Sequence, residues 1–443
     1  MPNAHRAPLE ELEVAIAAGH PDRAVEAALK ALAAQAPTLD VIRAAARGAA
    51  SRPLSGAGTV PHGLVALASA AGLRDVLEPR ALGLAILQAV SLTASATRAS
   101  EASEPFLIVS GEVSHLAPSA LFAVRRGDAA EAESLFLGIV EEGWERRQAG
   151  DMFFRAAVED LGDSGHKLIV AVQVWRLAEA LGFRDARLLL RPAIRYVVRG
   201  ERDRAPYEAM LGVLGKERVD LETLASAARP LDDAARGKLA TVVAATSEEV
   251  CVEGLLSLLR DGVAPTSLAY GIVVEAAKRA LASEGYALET AHALLYAHAA
   301  RFALSFSRTS ERLYALFLAA LRVRSPAPHV PSVGVSEAGG EGDAIRAIEE
   351  DLEARRPTEA AARVRAYLSR DFSSKRLLET LARFASTDSA LANQGHNLAL
   401  ADACAAEYAA TKAPEIAMAL AKLLAASPRD EAASKGWAAH LAR

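Results

Sequence analysis

The sequence predicts an all-α protein built as a multi-helix assembly, and three observations support this fold class. Of the 443 residues, 51% are hydrophobic but only 5% are aromatic, so alanine, leucine and valine supply most of the apolar mass. Alanine and leucine favour helix, and small side chains let helices approach each other closely. Apolar residues also recur at helical spacing along most of the chain, whereas alternating β-branched runs with hairpin turns are missing.

The first elements follow from this periodicity and from the residues that break it. Gly19-His20-Pro21 divides residues 9–34 into a helical hairpin like those of repeat proteins, although no period of about 34 residues follows. A loop rich in Gly, Pro and Ser covers residues 51–61, and Glu78-Pro79 separates two helices within 64–97. Further helices are predicted at 40–50, 112–124, 128–144, 150–161 and 166–181.

The rest of the chain continues the pattern, which gives roughly fifteen to twenty helices at a mean length of about eleven residues. Pro192 either kinks a helix over 185–198 or marks its start. Residues 324–342 carry three prolines and four glycines and are predicted to be a linker or crossing loop. This divides the chain into a main helical domain, 1–323, and a C-terminal helical segment, 343–443, that packs on it with repeat-like hairpins at both ends. The remaining helices are predicted at 207–214, 221–228, 232–246, 247–259, 267–283, 287–306, 309–323, 344–355, 358–370, 374–385 and 396–411, with a final pair after 414.

Composition excludes several classes of function. The net charge of -5 is not that of a nucleic-acid-binding protein. Cys251 and Cys404 form no CxxC motif, which excludes a zinc ribbon or an iron–sulfur cluster held by this chain and predicts a reduced, cytoplasmic protein. Residues 1–9 contain no apolar run and no stretch reaches about 18 apolar residues, so neither a secretory signal nor a membrane span is predicted. Nucleophile-elbow and phosphate-loop patterns are also missing.

Histidines at helix starts are the strongest functional signal. Imidazole is the commonest metal ligand, and glycines beside it let backbone or substrate come close. The turn Asp163-Ser164-Gly165 delivers one imidazole onto the first turn of a long apolar helix, and we predict that such helix starts converge on one metal ion. The alternative is that each imidazole binds a free amide or lies half-exposed. Five of the ten histidines lie at or near the start of an apolar helix: His62, His115, His166, His292 and His396.

Acids placed three residues before a histidine suggest a second kind of metal site. This spacing puts both side chains on one helical face, and Glu-x-x-His is the half-motif of di-iron carboxylate bundles. Such an acid can instead be an N-terminal charge facing the helix dipole. His298 lies about 120° around the helix from His292, so it either ligates or lines a pocket. The acid–histidine pairs are Glu112 and His115, Asp163 and His166, and Glu289 and His292.

Three features together resemble a known family. Val60-Pro61-His62-Gly63-Leu64 lies early, Gly165-His166-Lys167-Leu168-Ile169 lies in the middle, and histidine-bearing helices lie late in an all-helical chain of this length. The chain thus resembles the questin oxidase family. The resemblance implies a non-haem iron oxygenase acting on polycyclic aromatic substrates, with iron held by several histidines and a carboxylated lysine. Carried over to the matching positions of this sequence, the resemblance implies that His62, His166, His292 and His396 bind the iron. Lys375 would be the carboxylated lysine, and Lys167 is the alternative candidate for that role.

The predicted function is therefore iron-dependent oxygenation of an apolar, aromatic or polyketide-like small molecule by dioxygen. Asp163 and Glu289 would orient ligands by accepting a hydrogen bond from the distal imidazole nitrogen. His115, His298 and Glu112 are alternative ligands. Two other functions remain open, a non-catalytic helical scaffold that binds a partner protein and a ferritin-like di-iron oxidase.

Overall fold

A computed structural model of the chain confirms the all-α prediction. It describes residues 5–51, 59–96, 107–141, 146–326, 329–330, 333–335 and 339–441, so most of the predicted loop 51–61 and parts of 324–342 lie outside the described residues. Within the described part there are 23 α-helices and no strand, only an isolated bridge between Arg229 and Val263. None of these helices is both long enough and apolar enough to span a membrane.

The helices have the following bounds. The first eleven are α1 Arg6–Ala17, α2 Pro21–Ala33, α3 Thr38–Ala50, α4 His62–Gly72, α5 Pro79–Ala96, α6 Val113–Arg126, α7 Ala129–Glu141, α8 Arg146–Val158, α9 His166–Ala180, α10 Ala186–Arg199 and α11 Ala205–Lys216. They are followed by α12 Leu221–Ala225, α13 Asp233–Val243, α14 Glu248–Arg260, α15 Pro265–Ala282, α16 Leu288–Phe306, α17 Leu313–Val323, α18 Glu341–Glu353, α19 Pro357–Leu368, α20 Ser374–Ala385, α21 His396–Thr411, α22 Pro414–Ala426 and α23 Ala432–His440.

Most helix boundaries lie within a few residues of those predicted, because capping and helix-breaking residues set them. Ser247 accepts a hydrogen bond from the amide of Val250 and so caps α14, and Ser373 caps α20 in the same way. Proline is the first residue of α2, α15, α19 and α22 and the second of α11, where its missing N–H costs nothing. Pro192 lies inside α10 and does not start it.

The second half of the chain repeats the helix order of the first. His62 and His166 are 104 residues apart, and His292 and His396 are also 104 residues apart. A shift of about 230 residues places each helix of α1–α11, the first repeat, on its counterpart in α13–α23, the second repeat, and leaves α12 in the connection between them. Repetition of a whole helix order at one shift is the signature of an internal duplication.

The two repeats contact each other reciprocally. Helix α9 packs on α16 of the other repeat, and its counterpart α21 packs on α4, the counterpart of α16. The pairs α8–α17 and α20–α5 show the same exchange, as do α11–α17 and α23–α5. Reciprocal contacts of this kind are those of a two-fold interface. The approximate two-fold axis therefore passes between α4, α9, α16 and α21, where one continuous apolar core surrounds it.

Candidate metal centre

Helices α9 and α21 each begin at a histidine that follows a left-handed glycine. The φ angles are +84° at Gly165 and +80° at Gly395, and the residues before them, Ser164 and Gln394, also have positive φ. A Cβ on Gly165 would clash with the ring of Tyr296, so glycine is required there for both backbone conformation and space. Three consecutive left-handed residues, beginning at Asp163, precede His166 and two precede His396, and these sharp turns direct each histidine towards the two-fold axis.

Backbone carbonyls fix the tautomer of these two histidines. The Nδ1 atom of His166 lies 2.6 Å from the carbonyl oxygen of Asp163, and Nδ1 of His396 lies 2.6 Å from the carbonyl oxygen of Asn393. A carbonyl oxygen only accepts, so Nδ1–H donates and Nε2 of each neutral imidazole keeps its lone pair. Metal-binding histidines are commonly held in this way, with the distal N–H donated to a carbonyl.

The other two histidines come from α4 and α16 and complete one cluster. Ring centroids are 5.3 Å apart for His62 and His166, 5.4 Å for His62 and His396, and 4.5 Å for His166 and His292. One ligand atom from each of His62, His166 and His396 lies within 4.8 Å of the others. The structure thus brings together all four histidines that the family resemblance implied, and three of them, His62, His166 and His396, form a group compatible with metal binding.

The closest nitrogen pair has the spacing of two ligands on one ion. Nε2 of His292 lies 2.8 Å from Nε2 of His396. Two nitrogens at a right angle around a metal, with bonds of about 2.0–2.1 Å, are about 2.9 Å apart. Without metal, His292 must donate its Nε2–H to the lone pair of His396. The contact is therefore either a histidine–histidine hydrogen bond or a pair of adjacent ligands.

Two buried nitrogens of the cluster have no partner among the described residues. They are Nε2 of His62 and Nδ1 of His292. A buried polar atom without a hydrogen bond costs about 1–3 kcal/mol. Ligation through Nε2 would satisfy His62, which makes this orphaned atom an observation in favour of a bound cation.

Burial keeps three imidazoles of the cluster, those of His62, His292 and His396, uncharged at neutral pH. Desolvation lowers the pKa of His62 to about 3, and the neighbouring imidazoles of His396 and His166 lower it further. The same causes lower the pKa of His292 to about 2. Desolvation also lowers the pKa of His396 to about 4, although the carbonyl of Asn393 opposes this. Neutral imidazoles are the form that binds a metal.

The structure contradicts the assignment of Lys375 as a ligand. Lys375 is exposed on the first turn of α20, outside the buried cluster, since a helix-start position does not determine which way a side chain points. Its rival Lys167 is buried beside His166, but its Nζ donates to Oδ2 of Asp160 at 2.6 Å. Lys167 therefore has a structural ion pair and is directed away from ligation.

The acid–histidine pairs do not form a carboxylate site. Glu112 and His115 are both exposed at the start of α6. Glu289 is exposed and accepts from Ser164 and Arg322, so it does not orient an imidazole as predicted. Asp163 holds His166 through its carbonyl, while its carboxylate accepts from the hydroxyl of Tyr196 at 2.8 Å. The backbone of Asp163 thus has the orienting role that was predicted for its side chain.

His298 belongs to a separate buried network. Its Nδ1 lies 2.6 Å from Oε1 of Glu407, which also accepts from Nε of Arg301 at 2.6 Å. This agrees with the expectation that His292 and His298 face different directions on α16. His298 is therefore not part of the cluster.

Sequence reasoning missed the residues that shape the cluster from outside. The carbonyl of Asn393 holds His396, and the ring of Tyr296 packs on Gly165. Arg322 donates to the carbonyl of Ser164. None of these three residues was predicted. The equal spacing of the two histidine pairs could have revealed the duplication and so the equivalence of Asp163 and Asn393. No comparable signal identified Tyr296 or Arg322, whose counterparts in the first repeat are Ala66 and Leu92.

The chain matches no protein-family model, no curated protein and no solved structure. The resemblance to questin oxidases therefore stays a prediction, and the histidine cluster itself must support any functional proposal.

Proposed function

We propose that the protein is a non-haem iron oxygenase that acts on an apolar, aromatic or polyketide-like small molecule with dioxygen. The observation that carries this proposal is the convergence of four imidazoles, from helices separated by more than three hundred residues, at one largely buried point. Imidazole ligands suit iron, zinc, copper and nickel. The choice of iron rests on the family resemblance, and the apolar surroundings favour a substrate of the same character.

The geometry favours one ion over the di-iron alternative. Di-iron bundles require bridging carboxylates beside the histidines. The ligand group formed by described residues contains histidines only, and the nearest acid, Asp163, has its Oδ1 3.6 Å from Nδ1 of His166. That nitrogen is already the donor to the Asp163 carbonyl. A mononuclear site held by His62, His166, His292 and His396 therefore fits these residues better.

The chain's own residues would perform three tasks at such a site. The Asp163 and Asn393 carbonyls hold Nε2 of His166 and His396 towards the ion. Burial keeps the imidazoles of His62, His292 and His396 unprotonated, and the surrounding leucine and alanine side chains exclude water from the reacting molecules. Bound iron would supply the activation of dioxygen.

Metal analysis tests the proposal directly. Protein expressed in iron-replete medium should contain about one iron per chain, by the four-histidine geometry. His166→Ala and His396→Ala should each lose it, because each removes a nitrogen whose lone pair is fixed towards the centre. His115→Ala, an exposed helix-start histidine, is the matched control and should keep full occupancy. The iron-loaded protein should then consume dioxygen when polycyclic aromatic compounds are added.

Other outcomes separate the alternatives. Two irons per chain would support a ferritin-like oxidase, and none would support a non-catalytic helical scaffold. Full iron content in His166→Ala would show that the cluster is not the metal site. Lys375→Ala should leave iron content unchanged, which distinguishes this site from one completed by a carboxylated lysine at that position.

A further inference from the structure

A cleft of about 670 Å³ lies between α5 of the first repeat and α18, α20 and α23 of the second. None of the four clustered histidines lines it, and every residue that does so belongs to the described part of the chain. Small-molecule sites in proteins commonly have volumes of about 300–1,000 Å³. The cleft is therefore large enough to hold a small molecule that does not contact the histidine cluster.

The duplication identifies the equivalent region of the first repeat. Asp160 and Asp388 are 228 residues apart, and each accepts from the amide two residues later and from the side chain that follows a helix-start histidine. The left-handed residues that follow α6 and α18, Gly127 and Arg355, are also 228 residues apart. Helices α11 and α23 begin 227 residues apart. Helices α6, α8 and α11 thus correspond residue by residue to α18, α20 and α23.

In the first repeat this region is filled by a buried carboxylate and its partners. Glu159, whose side chain is 2% exposed, accepts from Nη2 of Arg125 at 2.6 Å and from Nε of the same residue at 2.9 Å. It also accepts from Nε of Arg155 at 3.1 Å and from the hydroxyl of Tyr207 at 3.3 Å. Nη1 of Arg204 completes the group at 3.4 Å. Three guanidinium groups and a phenol ring therefore occupy the space between α6, α8 and α11.

The five equivalent positions in the second repeat all line the cleft. A threonine replaces the central glutamate and a serine replaces the tyrosine, so both of these side chains are smaller. Two of the three arginines are replaced by glutamates, so the charges around the centre also differ. The cleft is therefore the space that the first repeat fills with its own side chains. The equivalent pairs are Arg125 and Glu353, Arg155 and Arg383, Glu159 and Thr387, Arg204 and Glu431, and Tyr207 and Ser434.

Most of the charged side chains that line the cleft are already paired with each other. Glu349 of α18 binds Arg383 of α20. The carboxylate of Glu431 lies 3.2 Å from Nη1 of Arg429 and 3.5 Å from Nζ of Lys435. These pairs neutralise one another and leave few charges for a ligand to meet.

One acid and one base of the cleft have no opposite charge beside them among the described residues. Glu353 on α18 makes no hydrogen bond or ion pair with any of these residues. Nη2 of Arg80 on α5 donates to the carbonyl of Ala438 at 3.0 Å, and no described carboxylate lies within ion-pair distance of this guanidinium. The remaining acid, Glu78, accepts from the amides of Arg80 and Ala81 at 2.9 Å and so caps α5. The cleft thus offers one carboxylate and one guanidinium from two of its walls.

From the open volume and these two charges we infer that the cleft is a binding site for a small zwitterion, a molecule with both an ammonium and a carboxylate group, as in amino acids and short peptides. The ammonium group pairs with Glu353. The carboxylate pairs with Arg80, whose planar guanidinium suits bidentate binding of a carboxylate. The rest of the ligand occupies the space at Thr387 and Ser434. This inference does not rest on the proposed function, because no clustered histidine takes part.

Calorimetric titration of the full chain with alanine, dialanine and trialanine tests the site and shows which length of ligand fits it. At least one of the three should bind with a dissociation constant of about 1 mM or below. N-acetylation of that ligand removes its positive charge, and amidation removes its negative charge. Each change should weaken binding by about threefold to fivefold, the effect of losing one partly exposed charge pair.

Two charge variants assign the ends of the ligand. Glu353→Gln should weaken binding of the unmodified ligand to the same extent and leave the affinity for its N-acetylated form unchanged. Arg80→Gln should do the same with respect to the amidated form. Glu350→Gln is the matched control, because Glu350 is an exposed acid of α18 that does not line the cleft, and it should leave every affinity unchanged.

Ser434→Tyr tests the space itself. This variant places in the cleft the side chain that occupies the equivalent position of the first repeat, so it should abolish binding. Ser434→Ala removes the hydroxyl that donates to the carbonyl of Thr387 without adding volume, and it should retain binding. If Ser434→Tyr fails to fold, the two charge variants decide the question.

Several results would overturn the inference. Absence of binding by all three ligands would do so, as would equal affinity for the unmodified and the blocked forms. A ligand weakened by N-acetylation but not by amidation would show a site for cations and refute the role of Arg80. Unchanged affinity in both charge variants, at wild-type melting temperature, would place the binding elsewhere on the chain.

Discussion

The two repeats of this chain share a skeleton and differ in what surrounds it. Both present a histidine at the start of a long helix after a left-handed glycine, and both hold its Nδ1 with a carbonyl three residues earlier. Behind this shared turn, the first repeat buries a lysine–aspartate pair and the second an asparagine–aspartate pair. The orientation of the imidazole thus depends on the backbone of the turn, and the buried side chains next to the turn differ between the two repeats.

The largest loss of stability is expected on lowering the pH, because the buried histidine cluster contains two histidines from each repeat. The folded pKa values of about 3, 2 and 4 for His62, His292 and His396 lie below the ordinary 6.5. Below pH 6.5 the unfolded chain therefore binds more protons than the folded one, so this contribution to stability is complete above that pH and is lost as pH falls from 6.5 towards the folded pKa values. At pH 5 each of the three histidines should cost the metal-free protein about 2 kcal/mol of unfolding free energy.

Urea unfolding of metal-free protein at pH 7.5 and pH 5.0 measures this loss. His62→Gln and His292→Gln, one from each repeat, should each reduce the difference between the two pH values by about 2 kcal/mol. His115→Gln, which changes an exposed histidine, should leave it unchanged. A pH dependence that is the same in all four proteins would mean that the cluster is not buried as a unit.

The buried partners behind the two turns should differ in their contribution to stability. Lys167→Met leaves the carboxylate of Asp160 buried without its cation, and breaking a buried pair in this way costs about 3–5 kcal/mol. Asn397→Ala removes one neutral donor from Asp388, which keeps Asn393 and the amide of Ala390, so about 1–2 kcal/mol is expected. Chemical denaturation of both variants at pH 7.5 gives the comparison. Equal losses would show that the charge of Lys167 is unimportant.

The two glycines should also differ. Gly165→Ala and Gly395→Ala both place alanine in the left-handed region, which costs about 1–2 kcal/mol. The new methyl group on residue 165 clashes with the packed ring of Tyr296, whereas on residue 395 it meets the movable end of Leu92. Gly165→Ala should therefore be the more destabilising by about 1 kcal/mol, an ordinary value for overpacking. Melting temperatures of the two variants check the order, and the reverse order would contradict the packing described for Tyr296.

Much of the fold could be predicted from the sequence because helix boundaries depend on local signals. Gly19-His20-Pro21 and Glu78-Pro79 separated helices where the structure does. The mean helix length gave too low a count of fifteen to twenty, whereas the helices predicted one by one number 23, as many as the described part of the chain contains. The two-fold arrangement was missed because its period of about 230 residues is far longer than the repeats of solenoid proteins, which are about 20–50 residues long.

The site shows what local signals cannot determine. Helix-start histidines marked the four clustered imidazoles, but the same signal also selected His115, which is exposed on α6. Lys375 failed for the same reason, since its place at a helix start says nothing about burial. The role of Asp163 was assigned to its carboxylate because sequence patterns describe side chains, whereas its carbonyl makes the close contact with His166.

The smallest effect is expected from the Arg322–Glu289 ion pair, which joins α17 to α16 in the second repeat and whose positions are occupied by Leu92 and Thr59 in the first. The side chain of Glu289 is 70% exposed, and exposed pairs contribute about 0.2–1 kcal/mol. A double-mutant cycle with Arg322→Leu and Glu289→Gln should therefore give a coupling energy below about 1 kcal/mol that falls further at 1 M salt. Because the pair is weak, its removal should leave the protein folded. A coupling of several kcal/mol would instead mean that the pair holds α16 and α17 together, and the difference between the repeats at these positions would then contribute to stability.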